Sequence, residues 1–502
     1  MRKSAWAGRG AIWFLCVVAF ATPAQLRSAE ERSPVLSPRD VVQRAGPAVV
    51  RVEAEANGRI VQGSGFVVTS EGAIVTSLHI LDAASSVRVL LRDGTAFEDP
   101  TVLAFDIERD LVVLGVDADE ALPTVDLGEP SSIEPGEAVL VIGNPLGLDQ
   151  TVTEGLVSAW REPKKEGSED RSHGRSAPSL PFATRVLQIS APISPGSSGA
   201  PVFNDRGEVI GVATAGVLHG LADLNFATPI DELAALLDET DAMDLETLHE
   251  RADDARLELA QPHFDSAELA HLRGDRQETK DHLERALQLF ESYGEALILS
   301  GRVALDEGQL ELAEQRLLQA VTAAVNDAEA WFLLGSVYDR MATERNDPSA
   351  LAQAAGAFER AVDLDYGHAG AALRLASIQI GRGQIDRAEQ LLLTAIDSQP
   401  DMTDAHYLLG EIHLGRDEIN QAKDAFERAL WEDENHALSH FGLAKLYTIT
   451  DRSQHGIASP HGAGPHHWEE FLRLSEGDPS LAEERRIAIR ILERLLPHLL
   501  DR

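Results

Sequence analysis

Cysteine is nearly missing from this chain: one, Cys16, occurs in 502 residues. No intramolecular disulfide can form, so each domain must be held by its own buried core, and reductant is expected to leave stability and catalysis unchanged. Basic residues are also few. Lys and Arg number 44 against 82 Asp and Glu, for a formal net charge of −38. Such a chain lacks the basic footprint that nucleic acid or an anionic membrane surface requires. Acidity suits solubility and, more sharply, attraction of basic polypeptides. The apolar run Ala11 to Ala21 is too short for a comfortable membrane span.

That run follows Arg2 and Lys3 and precedes Thr22-Pro23-Ala24, small residues suited to cleavage after Ala24. Residues 1–24 therefore read as a secretion signal and 25–38 as a linker. A periplasmic or extracellular protein is expected, with an uncleaved membrane anchor as the alternative. Cys16 lies inside the signal, and the residues before it make no convincing lipoprotein box. At 502 residues the chain is far too long for one core, so two or more domains are expected.

Three short segments carry candidate chemistry. Ser194-Pro195-Gly196-Ser197-Ser198-Gly199-Ala200-Pro201 reads as a turn able to aim the N–H groups of Gly196 and Ser198 into one small space. His79 follows the strand-like Ile74-Val75-Thr76-Ser77, and Asp110 precedes the strand-like Leu111-Val112-Val113-Leu114. A hydroxyl is a weak nucleophile at its own pKa and needs both a base and donors for the oxyanion. Ser198 would attack, His79 would take its proton, Asp110 would orient the ring, and Gly196 and Ser198 would form the oxyanion hole. Each segment alone has a plain structural reading as a loop, a histidine after a strand, or a strand boundary. Their order, with each residue at a strand end, is what points to catalysis.

Four further segments occur in register with these: Gly63-Ser64-Gly65-Phe66-Val67-Val68, Val141-Ile142-Gly143-Asn144-Pro145-Leu146-Gly147, Gly207-Glu208-Val209-Ile210-Gly211-Val212 and Phe226-Ala227-Thr228-Pro229-Ile230-Asp231. On these motifs residues 39–240 resemble the trypsin-like fold, specifically the HtrA/Deg branch of exported bacterial serine proteases. The resemblance implies two six-stranded antiparallel barrels, with His79 and Asp110 from the first and Ser198 from the second. It implies hydrolysis of protein or peptide substrates with no cofactor and no metal. Alternating runs such as Ala48-Val49-Val50-Arg51-Val52-Glu53 agree with strands here.

The same alignment puts Pro192 at the base of the primary specificity pocket, with walls from Thr214, Ala215 and Gly216 and from Asn225 to Ala227. Pro192 offers no counter-charge to a buried Lys or Arg, and Asn225 stands where roomier relatives have glycine. Small or medium apolar residues such as Val, Ala or Ile are therefore expected before the scissile bond. Thr214 aligns with a hydroxyl that bonds the triad aspartate in relatives. Ser197 and Ala200 stand where the family commonly has Asn and Gly. Ser197 has no carboxylate to receive a freed N-terminus, so activation by N-terminal cleavage is not expected. Arg161 to Pro181 reads as a loop near the cleft mouth. No PDZ-like segment is recognisable, so neither PDZ-linked peptide capture nor trimer formation carries over.

From residue 263 the texture changes to amphipathic helices with a period. Ala267, Gly301, Gly335, Ala376, Gly410 and Ala444 recur at 34 residues except for one step of 41 after Gly335. Ala286, Ala320, Ala361, Ala395 and Ala429 repeat the same spacing. This helix–turn–helix period resembles tetratricopeptide repeats. About five are expected over 263–449, the extra seven residues near Glu344 to Ser349 being assigned to the loop inside the third. Residues 241–262 read as a helical coupler. The resemblance implies an all-α superhelix whose concave face holds a partner protein, with Arg374 and His440 as candidate contacts and Tyr338 and Tyr407 filling the seam between helices.

His455, His461 and His466 fall in an expected loop at 450–466 and His467 directly follows it, a setting too unfixed for a metal site without cysteine. Residues 467–502, with Trp468, Phe471, Leu472, Ile487, Ile489, Ile491, Leu492, Leu495 and Leu496, read as a capping helix. The expectation for the whole chain is an exported serine endopeptidase whose repeats recruit substrate or partner; assembly with further copies is left open. The alternatives are an interaction scaffold, or a chaperone-like protein, whose protease-like domain binds peptides without efficient cleavage.

Overall fold

The computed structural model describes residues 35–495 apart from residue 57 and residues 131–132, 145–149, 163–183, 215–223, 232, 239–240 and 454–462. The expected signal, nearly all of the 161–181 loop, Ala215, Gly216, His455 and His461 lie outside the described residues. The chain divides into two compact units, Met1–Ala252 and Asp253–Arg502.

The first unit is built on two sheets. One contains β1 (Val49–Ala56), β2 (Arg59–Val67), β3 (Ala73–Ser77), β4 (Ala84–Leu90), β5 (Ala96–Glu98), β6 (Thr101–Asp106) and β7 (Leu111–Gly115). The other contains β8 (Asp126–Leu127), β9 (Ala138–Gly143), β10 (Thr151–Arg161), β11 (Val186–Ile189), β12 (Pro201–Phe203), β13 (Glu208–Thr214) and β14 (Asn225–Pro229). Among the described residues each sheet has seven strands, not the six expected. In the second, β12 pairs with both β9 and β13 and closes a ring of six, to which β8 adds itself parallel to β13. In the first the order is β5-β4-β1-β2-β3-β7-β6. The extra member, β5, is three residues long and forms a hairpin with β4 around the Asp93-Gly94 turn.

The continuous apolar run of β7 is buried from Leu111 to Leu114 because the strand lies between β3 and β6 with both faces covered. Helix α1 (Pro38–Ala45) starts on Ser37, whose side chain forms a capping box with Asp40. After β14 come α2 (Leu233–Asp238) and then the coupler. The coupler is tied to the first sheet by a Met243–Val102 bridge and by His249 Nε2, 2.8 Å from Leu81 O. The coupler has no end of its own at residue 262: α3 runs from Leu245 to Arg273 with Pro262 inside it.

In the second unit, helices pair in sequence: α3 with α4 (Arg276–Leu289), α5 (Gly294–Asp306) with α6 (Leu310–Ala323), α7 (Ala328–Arg345) with α8 (Pro348–Leu364), α9 (Ala369–Gly381) with α10 (Ile385–Ser398), and α11 (Thr403–Gly415) with α12 (Ile419–Glu432). The small residues of the period sit where helices touch. A Cβ on Gly335 would lie 2.6 Å from the Phe358 ring, one on Gly301 2.5 Å from Leu317, and one on Gly410 2.6 Å from Phe426. The extra residues of the third repeat lengthen its helices instead of its loop. α7 has 18 residues and α8 has 17, against 13 and 14 in α5 and α6, and only Asn346 and Asp347 connect them. Asn346 takes the left-handed conformation, φ +50°, that ends α7.

The expected single capping helix is two, α14 (Ala463–Leu474) and α15 (Ala482–Leu495), preceded by α13 (Ala437–Ser453). Gly477 at φ +80° and Pro479 break the run. Trp468, Phe471, Ala488 and Leu492 are buried with Phe441 and Ala444, whereas Ile487 and Ile489 face solvent. His466 and His467 lie on α14, and His467 Nδ1 is 2.8 Å from Nδ1 of the buried His440. Tyr338 is buried and Tyr407 packs between Phe426 and His436, while Arg374 is exposed.

Candidate active site

The three candidate residues are brought together by strand register. β3 pairs with β7 so that Ser77 faces Leu111. His79 therefore leaves the end of β3, in the 3-10 turn Leu78–Leu81, beside Asp110 at the start of β7. Leu78 N–H donates to Asp110 O at 3.1 Å. Asp110 is in the left-handed region, φ +56°, a strained geometry for a residue with a side chain. That twist turns its carboxylate back on His79: the His79 backbone N–H donates to Oδ1 at 2.9 Å, and ring Nδ1 lies 2.6 Å from Oδ2. With Nδ1–H donated to Asp110, the neutral ring presents Nε2 as an acceptor. Burial draws the His79 pKa down, but the Asp110 hydrogen bond and charge, with the Asp82 charge, raise it above the ordinary 6.5.

Ser198 lies in the turn that precedes β12. Ser197 N–H donates to Ser194 O at 2.8 Å, closing a turn with Pro195 and Gly196 at its centre; Gly196 has φ +92°. This is a type II turn, which needs a residue tolerant of positive φ at the third position. Gly199 has φ +83°, and a Cβ there would sit 2.1 Å from Ser64 O, 2.5 Å from Thr76 Oγ1 and 3.0 Å from Ser77 N. The serine turn is thus packed onto β2 and β3, two residues from His79. Among the described residues, the N–H groups of Gly196 and Ser198 have no hydrogen-bond partner, whereas those of Ser197, Gly199 and Ala200 do. Ser198 is 6% exposed, and its hydroxyl makes no hydrogen bond to His79.

Of the pocket residues, Pro192 is exposed and its carbonyl accepts from Thr153 Oγ1 at 3.0 Å. Asn225 Oδ1 accepts from Ile193 N–H at 3.3 Å, so the side chain braces the 192–193 segment. Ala227 is fully buried. Thr214 Oγ1 lies 3.4 Å from Thr228 Oγ1 rather than on Asp110, and it is Thr228 that reaches the aspartate segment, donating to Arg109 O at 3.1 Å. Thr228 and the buried Asn144, whose side-chain amide donates to Val50 O and whose Oδ1 accepts from Gln150 N–H, make hydrogen bonds near the site that the sequence did not single out. Both stood inside quoted motifs; their partners, far away along the chain, were not visible there. In the repeat unit, a cavity of 410 Å³ lies among α3, α5 and α7, lined by Phe264, Glu268, Glu295, Ile298, Arg302 and Glu329 among others.

Comparison with known proteins agrees with this architecture. Residues 63–212 match the trypsin-like peptidase domain, and residues 270–336 and 348–412 match the tetratricopeptide repeat. The chain is 36% identical over 234 residues to the putative serine protease HhoB of Synechocystis, covering 41% of this chain and 53% of the relative. It is 35% identical to putative serine protease HhoA of the same organism, covering 43% and 60%, and 36% identical to the mitochondrial serine protease HTRA2 of Bos taurus, covering 41% and 45%. The chain thus spans about half the length of the curated relatives it matches. Residues 63–212 are a trypsin-like peptidase domain homologous to the HtrA serine proteases, and tetratricopeptide repeats follow it in the same chain.

Proposed function

We propose that this chain is an exported serine endopeptidase. Ser198 Oγ attacks the scissile carbonyl while His79 Nε2 takes its proton; Asp110 holds the ring tautomer and stabilises the imidazolium. The N–H groups of Gly196 and Ser198 receive the oxyanion, and His79 returns its proton to the leaving amine before water hydrolyses the acyl-enzyme. The observation that carries the reading is the 2.6 Å His79–Asp110 hydrogen bond beside a serine turn with two unpaired N–H groups among the described residues. Substrates carry a small or medium apolar residue before the scissile bond, since Pro192 supplies no charge and the Asn225 side chain occupies the wall. The repeats recruit a protein substrate or partner, and the cavity among α3, α5 and α7, apolar with an acidic rim, is where such a chain docks.

Fluorophosphonate labelling of the purified protein, beside Ser198→Ala, tests the reading. Labelling that disappears in the variant supports it. Wild-type protein that stays unlabelled with denatured casein present would reject it in favour of peptide binding without cleavage. The missing Ser198–His79 hydrogen bond is the one feature that favours that second reading; such bonds commonly form only with substrate in place.

A further inference from the structure

Ser64 is wholly buried and outside the triad, yet each of its polar groups is hydrogen-bonded, two of them to the serine turn. Its backbone N–H donates to Ser198 O at 2.7 Å. Its hydroxyl donates to Gly196 O at 2.8 Å and accepts from Asn144 N–H at 2.8 Å. Its carbonyl accepts from Thr76 Oγ1 at 2.7 Å, which fixes it to β3. The direction of these bonds is forced. A hydroxyl has one proton, and Asn144 N–H already occupies a lone pair, so the Ser64 proton goes to Gly196 O.

Within Gly196–Ala200, Gly196 and Ser198 are the residues whose N–H groups have no partner among the described residues. Ser64 grips the carbonyl of each, one through its side chain and one through its main chain. Each gripped carbonyl lies on the peptide that follows its residue's N–H, 196–197 and 198–199, so Ser64, locked in the first sheet, pins the backbone on the C-terminal side of both donors. Gly196 itself does little to hold that backbone, since glycine adopts either sign of φ readily. We infer that Ser64 is a positioning residue of the oxyanion hole: its hydroxyl on the Gly196 carbonyl and its N–H on the Ser198 carbonyl restrict the backbone torsions of those two residues, so that the Gly196 and Ser198 N–H groups converge on one oxygen. The inference rests on the endopeptidase reading for its kinetic effect, though not for its structural one.

Ser64→Ala in the full chain is the test. Donors aimed at the oxyanion typically contribute about 100-fold to 1,000-fold in kcat, and a residue acting through one of them should account for about 10-fold to 100-fold. The expected result is that fall in kcat, with slowed fluorophosphonate labelling and KM within about twofold, because substrate binding is untouched. The acidic limb of the pH profile should not move, because His79 and Asp110 keep their hydrogen bond. Ser64→Cys keeps the volume and a weaker donor; it should fall between the two, and it carries the test if Ser64→Ala does not fold. Unchanged kcat in folded Ser64→Ala, or a loss expressed in KM or in a shifted acidic limb, would overturn the inference.

If the wild type neither labels nor hydrolyses, the endopeptidase reading fails, and the crystal structure of Ser64→Ala decides the point instead. A displaced or doubled Ser194–Ala200 turn upholds the role of Ser64, and an unchanged turn overturns it.

Discussion

Asp110 accepts from His79 twice, from the ring Nδ1 at 2.6 Å and from the backbone N–H at 2.9 Å. One carboxylate therefore fixes both where the imidazole begins and which way it points. The left-handed backbone of Asp110 is what makes the double contact reachable.

The first prediction follows from that pair. The protonated ring cannot accept the Ser198 proton, so kcat/KM should fall on acidification. Because Asp110 and Asp82 raise the His79 pKa, the half-point should lie above 6.5. Asp110→Asn should lose about 10⁴-fold in kcat, through the wrong tautomer, and shift the half-point downward. For stability, the raised folded pKa favours the folded state at low pH, and that contribution is lost as pH rises through the folded value. Steady-state rates against pH for both proteins check the first effect; melting curves check the second.

Gly199 should not tolerate a side chain. In Gly199→Ala the Cβ would press against the Ser64 carbonyl at 2.1 Å with φ at +83°. Strain of this kind costs about 1–3 kcal/mol, and the clash with main chain adds to it. Serine-probe labelling should be lost and Tm lowered. Gly58→Ala is the control: φ is +72° but nothing lies within 4 Å, so the expected loss is about 1–2 kcal/mol with labelling intact.

The repeat unit should fail separately from the serine turn. Phe358 is fully buried and lies against Gly335. Phe358→Ala should destabilise the helices by about 3–5 kcal/mol, read as an earlier loss of helical circular dichroism in urea. Ser198 labelling below that transition should be unchanged. Gly335→Ala should be destabilising alone and partly rescued by Phe358→Leu, which gives the new methyl room.

The C-terminal helices should loosen in acid. His440 and His467 share one hydrogen bond between their Nδ1 atoms, which requires at least one neutral ring. Burial, with the neighbouring His440 and His466, pushes His467 down to about 4, and burial also lowers His440. A depressed folded pKa means stability present above about 6.5 in the unfolded chain and lost as pH falls toward the folded value. Tyr447 stacks on His467, and Glu470 partly opposes the shift. Hydrogen exchange in α13 and α14 should rise between pH 6.5 and 4, and His467→Phe should flatten that dependence.

The repeats were legible in the sequence because packing against a neighbour helix demands a small residue at a fixed interval. Where the period broke after Gly335, the sequence showed an insertion but not its form. Helix and loop compete for seven residues, and only the αL cap at Asn346 and the Asp347 cap on α8 placed them in helices. The capping segment misled for a similar reason. Its apolar residues satisfy a helical period, but Gly477 and Pro479 divide it, which leaves Ile487 and Ile489 exposed.

At the serine turn, Ser198, His79 and Asp110 were found as candidates from the order of three strand-end segments and their resemblance to a known family, since each segment alone has a plain structural reading. What supports them was not legible there. Ser64 and Gly196 are 132 residues apart, Asn144 and Ser64 80 apart, Thr228 and Arg109 119 apart. A hydroxyl in a strand looks the same in sequence whether it faces solvent or a distant carbonyl. Periodicity, turn chemistry and composition depend on near neighbours along the chain and were set there. Which hydroxyl reaches which carbonyl depends on how β2, β7, β9 and β14 come together in space, and only the folded chain decides that.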